Sequence, residues 1–127
     1  MKTNMHLAHK HLIIRAEVPE SKRHPSEKEL KDWLVSLIGE INMELAAGPY
    51  TVQEDKDWNS GITAIAIITT SHISFHLWDK TGLLQMDVYS CAEFEPETIF
   101  NLIKRDFEAK NIQHKFIDRE FSLKEIS

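Results

Sequence analysis

The sequence is poor in the residues on which several common designs depend. It holds one cysteine, four prolines and four glycines in 127 residues. A single thiol cannot close an internal disulfide, so a reducing, cytoplasmic setting is expected. No apolar run approaches the roughly 20 residues of a membrane span, and Met1 to His11 has no apolar stretch of the export-signal kind. No membrane partner is therefore expected. Basic residues are outnumbered 15 to 20 by acidic ones, leaving a net charge of −5. With no basic excess to replace phosphate counterions, a general nucleic-acid partner is not expected either. There is no glycine-rich phosphate loop, internal repeat or low-complexity tract. The polar stretch from Pro19 to Pro25 is too short to divide domains. What is present, 42% apolar and 28% charged residues, suits one domain spanning residues 1–127 around one core.

Periodicity predicts the order β-α-β-β-β-β-α-β. Residues 7–18 alternate, with Leu12, Ile14, Ala16 and Val18 opposite His9, His11, Ile13 and Arg15, which reads as a strand. Ser26 and Glu29 have the spacing of a capping box. A helical stripe of Leu30, Leu34, Leu37, Ile38, Ile41 and Leu45 follows, closed by Gly48-Pro49. Tyr50 to Glu54 reads as a short strand, and Asp55 to Gly61 as a turn-rich loop carrying Trp58. Ile62 to Thr69 is apolar on both faces, as in a central strand. His72–Trp78 and Leu83–Ser90 alternate around an Asp79–Gly82 hairpin turn. Pro96 suits the first turn of a second helix, with Ile99, Ile103 and Phe107 on its buried side. Asn111 to Phe121 reads as the last strand. The fold class expected is α+β, a two-layer α/β sandwich whose mainly antiparallel sheet carries two helices on one face.

That arrangement leaves a second sheet face bearing His9, His11, His72, Ser74, His76 and Trp78. A mixed polar and aromatic face of this kind meets another subunit or lines a site. Metal ligation by the histidines lacks a carboxylate or thiol at clear ligand spacing, so no metal is assigned.

The chemistry-bearing residues concentrate in Thr70-Ser71-His72-Ile73-Ser74-Phe75-His76-Leu77-Trp78 and in Cys91. Together with Gly61-Ile62-Thr63 and Asp87-Val88-Tyr89-Ser90-Cys91, without a gap from Thr63 to Cys91, they make the chain resemble bacterial and archaeal S-adenosylmethionine decarboxylase proenzymes over nearly its whole length. The resemblance implies that Ser71 is the precursor of a pyruvoyl cofactor, that His76 and Thr63 assist self-cleavage at Thr70-Ser71, and that Cys91 is the catalytic proton donor. It implies that the pyruvoyl carbonyl takes the substrate amine as a Schiff base and drains electrons as carbon dioxide leaves, supplying the aminopropyl donor for spermidine synthesis. It also implies a homodimer with sites near the subunit contact. His76 lies five residues after Ser71, on the opposite side of an ideal strand. A bend or bulge near His72, or fraying at the cleavage point, is expected to bring them together.

Two positions depart from the family pattern. Thr70 stands where a glutamate usually precedes the processed serine. Lys80, in Trp78-Asp79-Lys80, stands where a glutamate usually accepts from the substrate ribose, and a lysine donates only. Asp79 is the acceptor that remains in that run, and Trp58 lies one position from the family's adenine-stacking aromatic. Trp58, Trp78, Asp79 and Lys80 are the expected substrate-binding residues. Lys80 opens an alternative, decarboxylation of a basic amino acid such as ornithine or arginine. A further alternative is an unprocessed homologue that binds ligand or regulates an active relative.

Overall fold

The computed structural model describes residues 8–126. Its elements are β1 (Lys10–Glu17), α1 (Glu27–Glu40), β2 (Leu45–Lys56), β3 (Asn59–Ile68), β4 (Ser71–Trp78), β5 (Leu83–Ser90), α2 (Pro96–Phe107), β6 (Lys110–Asp118) and β7 (Lys124–Glu125). The strands form one antiparallel sheet in the order β2-β3-β4-β5-β1-β6-β7. The hairpins β2–β3–β4–β5 follow chain order, and β1 closes against β5 in the middle of the sheet.

One face carries both helices. Leu12, Ile14, Ile62, Ala64, Ile73, Phe75, Leu84 and Val88 point there and are almost fully buried, as the alternation of β1, β4 and β5 predicts. α1 contributes Leu30, Leu34 and Leu37, and α2 contributes Ile99 and Ile103. Trp33, Phe75 and Phe107 pack ring to ring with centroids 4.9–5.6 Å apart. The capping box at the start of α1 is formed in both directions between Ser26 and Glu29.

Several expected boundaries are corrected. α1 ends at Glu40, not at Gly48-Pro49. Asn42 adopts a left-handed φ of 60°, and the Met43 amide donates to the Ile38 carbonyl at 2.9 Å, a Schellman closure that satisfies the last carbonyls early. Leu45 therefore starts β2, and Gly48-Pro49, a cis peptide, lies inside that strand. The loop expected over Asp55 to Gly61 is a tight hairpin, since Lys56 pairs with Asn59 across Asp57-Trp58. β3 is not covered on both faces: Ile65 and Ile67 remain 43% and 45% exposed. The last strand ends at Asp118 and is followed by the short β7. His9 precedes β1, where its carbonyl accepts from the Arg119 amide at 2.7 Å.

Candidate active site

Ser71 opens β4 directly after a two-residue turn, Thr69-Thr70, with Ile68 paired to Ser71. Two-residue hairpins favour positive φ at their central residues, a conformation that branched side chains resist. Neither threonine adopts it, and Ser71 takes φ 152° instead. A non-glycine residue held there costs roughly 1–3 kcal/mol, and such strain is found where neighbouring structure enforces it. The neighbours are plain. The Thr70 carbonyl accepts from the Cys91 amide at 2.9 Å. The fully buried Ser90 hydroxyl donates to the Thr70 hydroxyl at 2.9 Å and accepts from the Ala92 amide at 3.0 Å. The Thr70 hydroxyl in turn donates to the Met43 sulfur at 3.7 Å. Cys91 is half-buried. The carbonyl that a Ser71 hydroxyl must attack is thus already held by an N–H donor, and that bond strengthens as the oxygen gains charge.

The opposite end of β4 holds the second cluster. His76 sits across from Thr63, and the Thr63 hydroxyl contacts His76 Nδ1 at 3.2 Å, leaving Nε2 as the ring nitrogen for chemistry outside the pair. The Trp78 ring stacks on His76 at 5.7 Å and 21°, and its indole N–H donates to Asn59 at 3.0 Å. Gly61 lets the strands approach here: a Cβ at its φ of 155° would stand 2.1 Å from the Leu77 carbonyl oxygen. In the adjoining turns, Asp79 Oδ2 accepts from Ser60 at 3.1 Å, and the Lys80 ammonium donates to the Asp57 carbonyl at 3.4 Å. Trp58 is 79% exposed at the β2–β3 tip, with the Lys56 ammonium 5.4 Å from its ring centre.

Between the two ends lies a hub that spacing did not single out. Asp87 accepts from His11 Nε2 at 2.8 Å and from the Ser74 hydroxyl, and His72 Nε2 lies 3.5 Å from the same carboxylate without a hydrogen bond. Arg119 donates to His11 Nδ1 at 3.2 Å and lies 4.2 Å over the Tyr89 ring. The His11 tautomer follows: Nδ1 accepts and Nε2–H donates. Strand alternation puts Asp87, Ser74, His11 and His72 on the face opposite the helices, and the cross-strand register brings them together. The imidazoles aim at the carboxylate oxygen, and among the described residues no group of three His, Cys, Asp or Glu is arranged to hold a metal ion. Beside the hub, a shallow cavity of about 540 Å³ is lined by residues including His11, Arg15, His76 and Lys115.

The structure therefore pairs Ser71 with Ser90, seats the Cys91 amide on the Thr70 carbonyl and joins Thr63 to His76, without joining the two ends. The register of β4 is unbroken on both sides from Ser71 to Leu77, so the expected bend near His72 is absent. Five strand steps of about 3.3 Å place His76 on the order of 16 Å along the chain from Ser71. Trp78, Asp79, Lys80 and Trp58 are at the His76 end. No described helix is long and apolar enough to cross a membrane.

Residues 10–120 match the family model described as S-adenosylmethionine decarboxylase. A relative named S-adenosylmethionine decarboxylase proenzyme from Sulfurisphaera tokodaii is 35% identical over 111 residues, covering 84% of this chain and 89% of that protein. Another of that name from Archaeoglobus fulgidus is 33% identical over 60 residues, 46% of this chain and 54% of that protein. The crystal structure titled adenosylmethionine decarboxylase from Aquifex aeolicus superposes with a TM-score of 0.73 over 97% of this chain and 99% of that one. At 20% identity, that likeness speaks for the fold alone.

Proposed function

The chain belongs to the S-adenosylmethionine decarboxylase family, and from that premise we propose that it cleaves itself at Thr70-Ser71 and then decarboxylates S-adenosylmethionine. The observation that carries the reading is the scissile peptide itself. Ser71 is strained at φ 152°, and the Thr70 carbonyl is held by the Cys91 amide. The Ser71 hydroxyl adds to the Thr70 carbonyl carbon and the C–N bond breaks, giving an ester and a free amine. Removal of the Ser71 Cα proton then expels the Thr70 carboxylate. Water hydrolyses the resulting dehydroalanine with loss of ammonia, leaving a pyruvoyl group on residue 71. His76, oriented by Thr63, moves the protons of elimination. Once formed, the pyruvoyl carbonyl supplies the electron sink for decarboxylation. Cys91, whose amide already holds the Thr70 carbonyl, would be the proton donor to the substrate carbon, and the product would serve as an aminopropyl donor for spermidine synthesis. Trp58 and Trp78 supply aromatic surface for adenine, with Asp79 and Lys80 beside them.

The separation of Ser71 from His76 makes a second copy part of this reading. The face opposite the helices exposes Ile13, Ile65, Ile67, Tyr50 and Val52. Two such faces packed about a two-fold axis lying across the strands exchange their ends. The His76 end of one protomer is then offered to the Ser71 end of its partner. Ser71→Ala and His76→Ala chains, each uncleaved alone, should regain cleavage of the His76→Ala chain when mixed and reassembled. Silence of the mixture would return both residues to one protomer.

Intact mass is the direct test of function. Processing predicts fragments 1–70 and 71–127, the second without its amino nitrogen, and release of carbon dioxide from carboxyl-labelled S-adenosylmethionine. Lys80, whose ammonium donates to the Asp57 carbonyl and cannot accept from a ribose hydroxyl, opens a second reading in which ornithine or arginine is the substrate, and the same assay separates the two. One unbroken chain that releases carbon dioxide from none of them defeats the enzymatic reading and leaves a binding or regulatory homologue.

A further inference from the structure

Ser90 is one of only two buried polar or charged residues among those described, and it is fully inaccessible. Nothing in the cleavage chemistry above uses its hydroxyl. Its bonds run in one direction: the Ala92 amide donates to Ser90, Ser90 donates to the Thr70 hydroxyl, and Thr70 donates to the Met43 sulfur. The next residue, Cys91, takes the Thr70 carbonyl through its own amide at 2.9 Å. The end of β5 thus grips the residue before the cleavage point twice, by side chain and by main chain. A carbonyl held at its oxygen alone can still swing about that contact. A second contact through the Thr70 side chain fixes the peptide plane, and with it the face of the carbonyl carbon open to Ser71.

From this double grip, we propose that Ser90 is a positioning residue for self-cleavage, matched to the threonine that this chain carries at position 70. The inference rests on the self-cleaving reading and deepens it. Ser90 touches neither reacting atom. It acts through Thr70, and it acts on the first step, the attack of the Ser71 hydroxyl that exchanges the Thr70 amide for an ester. The branched side chain before Ser71 crowds the attacked carbonyl, but its hydroxyl is the handle by which that carbonyl is aligned. Loss of one hydrogen bond of ordinary strength corresponds to a slowing of about three- to tenfold.

The test is pulse-chase cell-free synthesis of the full chain, following fragments 1–70 and 71–127. Ser90→Ala and Thr70→Val should each slow cleavage by about three- to tenfold, and the double variant should be no slower than the slower single one, because both changes break one contact. Thr70→Ser, which keeps the hydroxyl, should stay close to the parent rate. In the His76→Ala background the ester accumulates and hydroxylamine splits it, so adding Ser90→Ala should reduce the fragments that hydroxylamine releases, which a fault in elimination alone would not do. Folding is checked by urea unfolding in the uncleavable Ser71→Ala background. If Ser90→Ala fails to fold there, Thr70→Val carries the test. A parent chain that cleaves while both variants keep its rate overturns the positioning role, as do singles whose effects multiply in the double. A parent chain that never cleaves overturns the function on which the role depends.

Discussion

Phe75 and His76 are consecutive residues of one strand, yet they answer to different constraints. Phe75 is fully buried between Trp33 and Phe107. His76 lies on the open face, bonded to Thr63 and stacked on Trp78. The same division runs across the sheet. The helix-covered face is apolar apart from Ser60 and Ser90 at its strand ends, and its contacts hold the fold. The open face spends its positions on a carboxylate shared by two histidines, on exposed isoleucines and on the Thr63–His76 pair, none of which a stable two-layer fold requires. Breaking one face should unfold the chain, and breaking the other should leave a folded chain that does nothing.

The largest expected effect tests that division on the two neighbours. Phe75→Ala should lower the unfolding free energy by about 3–5 kcal/mol, through lost burial and the cavity left behind. His76→Ala should cost less than about 1 kcal/mol while arresting cleavage. Urea unfolding and intact mass on both variants decide it. Equal destabilisation would erase the distinction between the faces.

The same contrast explains what could be read without coordinates. The covered face was legible in detail, because burial imposes a period of two on β1, β4 and β5, and a helical stripe on α1 and α2. The end of α1 was not, because Asn42 is a weaker stop signal than Gly48-Pro49 and closes the helix only through a local hydrogen-bond pattern. Ile65 and Ile67 depart from expectation for a physical reason: in sequence, an apolar residue left exposed looks like one awaiting a helix. Motif resemblance singles out Ser71, His76 and Cys91 as candidates, but the grip of Ser90 on Thr70 and the meeting of His11, His72 and Ser74 at Asp87 depend on cross-strand register, which no single strand encodes.

The exposed isoleucines sharpen the comparison from the other side. Ile65→Asp combined with Ile67→Asp places two charges on the open face. On the proposed open-face dimer, light scattering should show a dimeric parent and a monomeric variant, with the protomer still cooperatively folded and cleavage lost along with the dimer. A variant that stays dimeric and cleaves normally would move the subunit contact elsewhere.

A smaller effect is expected at Asp87, and its sign is set by pH. Burial raises the pKa of this carboxyl, but hydrogen bonds from Ser74 and His11 and the attraction of the His11 and His72 rings outweigh it, so the group titrates below the usual aspartate range. A folded-state pKa lower than the unfolded value of about 3.9 stabilises the fold above that pH and is lost as pH falls through the folded value. The gap in unfolding free energy between parent and Asp87→Asn should therefore be widest near neutrality and shrink below about pH 4. A gap constant with pH would mean that the carboxylate's charge contributes nothing and only its shape matters.

The smallest structural effect is expected at Trp58, and there the comparison turns into a question of substrate. Its ring is 79% exposed at a hairpin tip, with the Lys56 ammonium 5.4 Å from its centre, so Trp58→Ala should change the unfolding free energy by no more than about 0.5 kcal/mol. If the ring covers adenine, its loss removes a stacking contact of about 0.5–1.5 kcal/mol. The KM for S-adenosylmethionine then rises about two- to tenfold, with kcat nearly unchanged, because the contact is equal in ground and transition states. Ornithine and arginine present no ring for it to cover. A variant that loses activity toward either of them, or that keeps the parent KM for S-adenosylmethionine, removes Trp58 from the substrate site and returns it to the exposed tip as a residue without a role in binding.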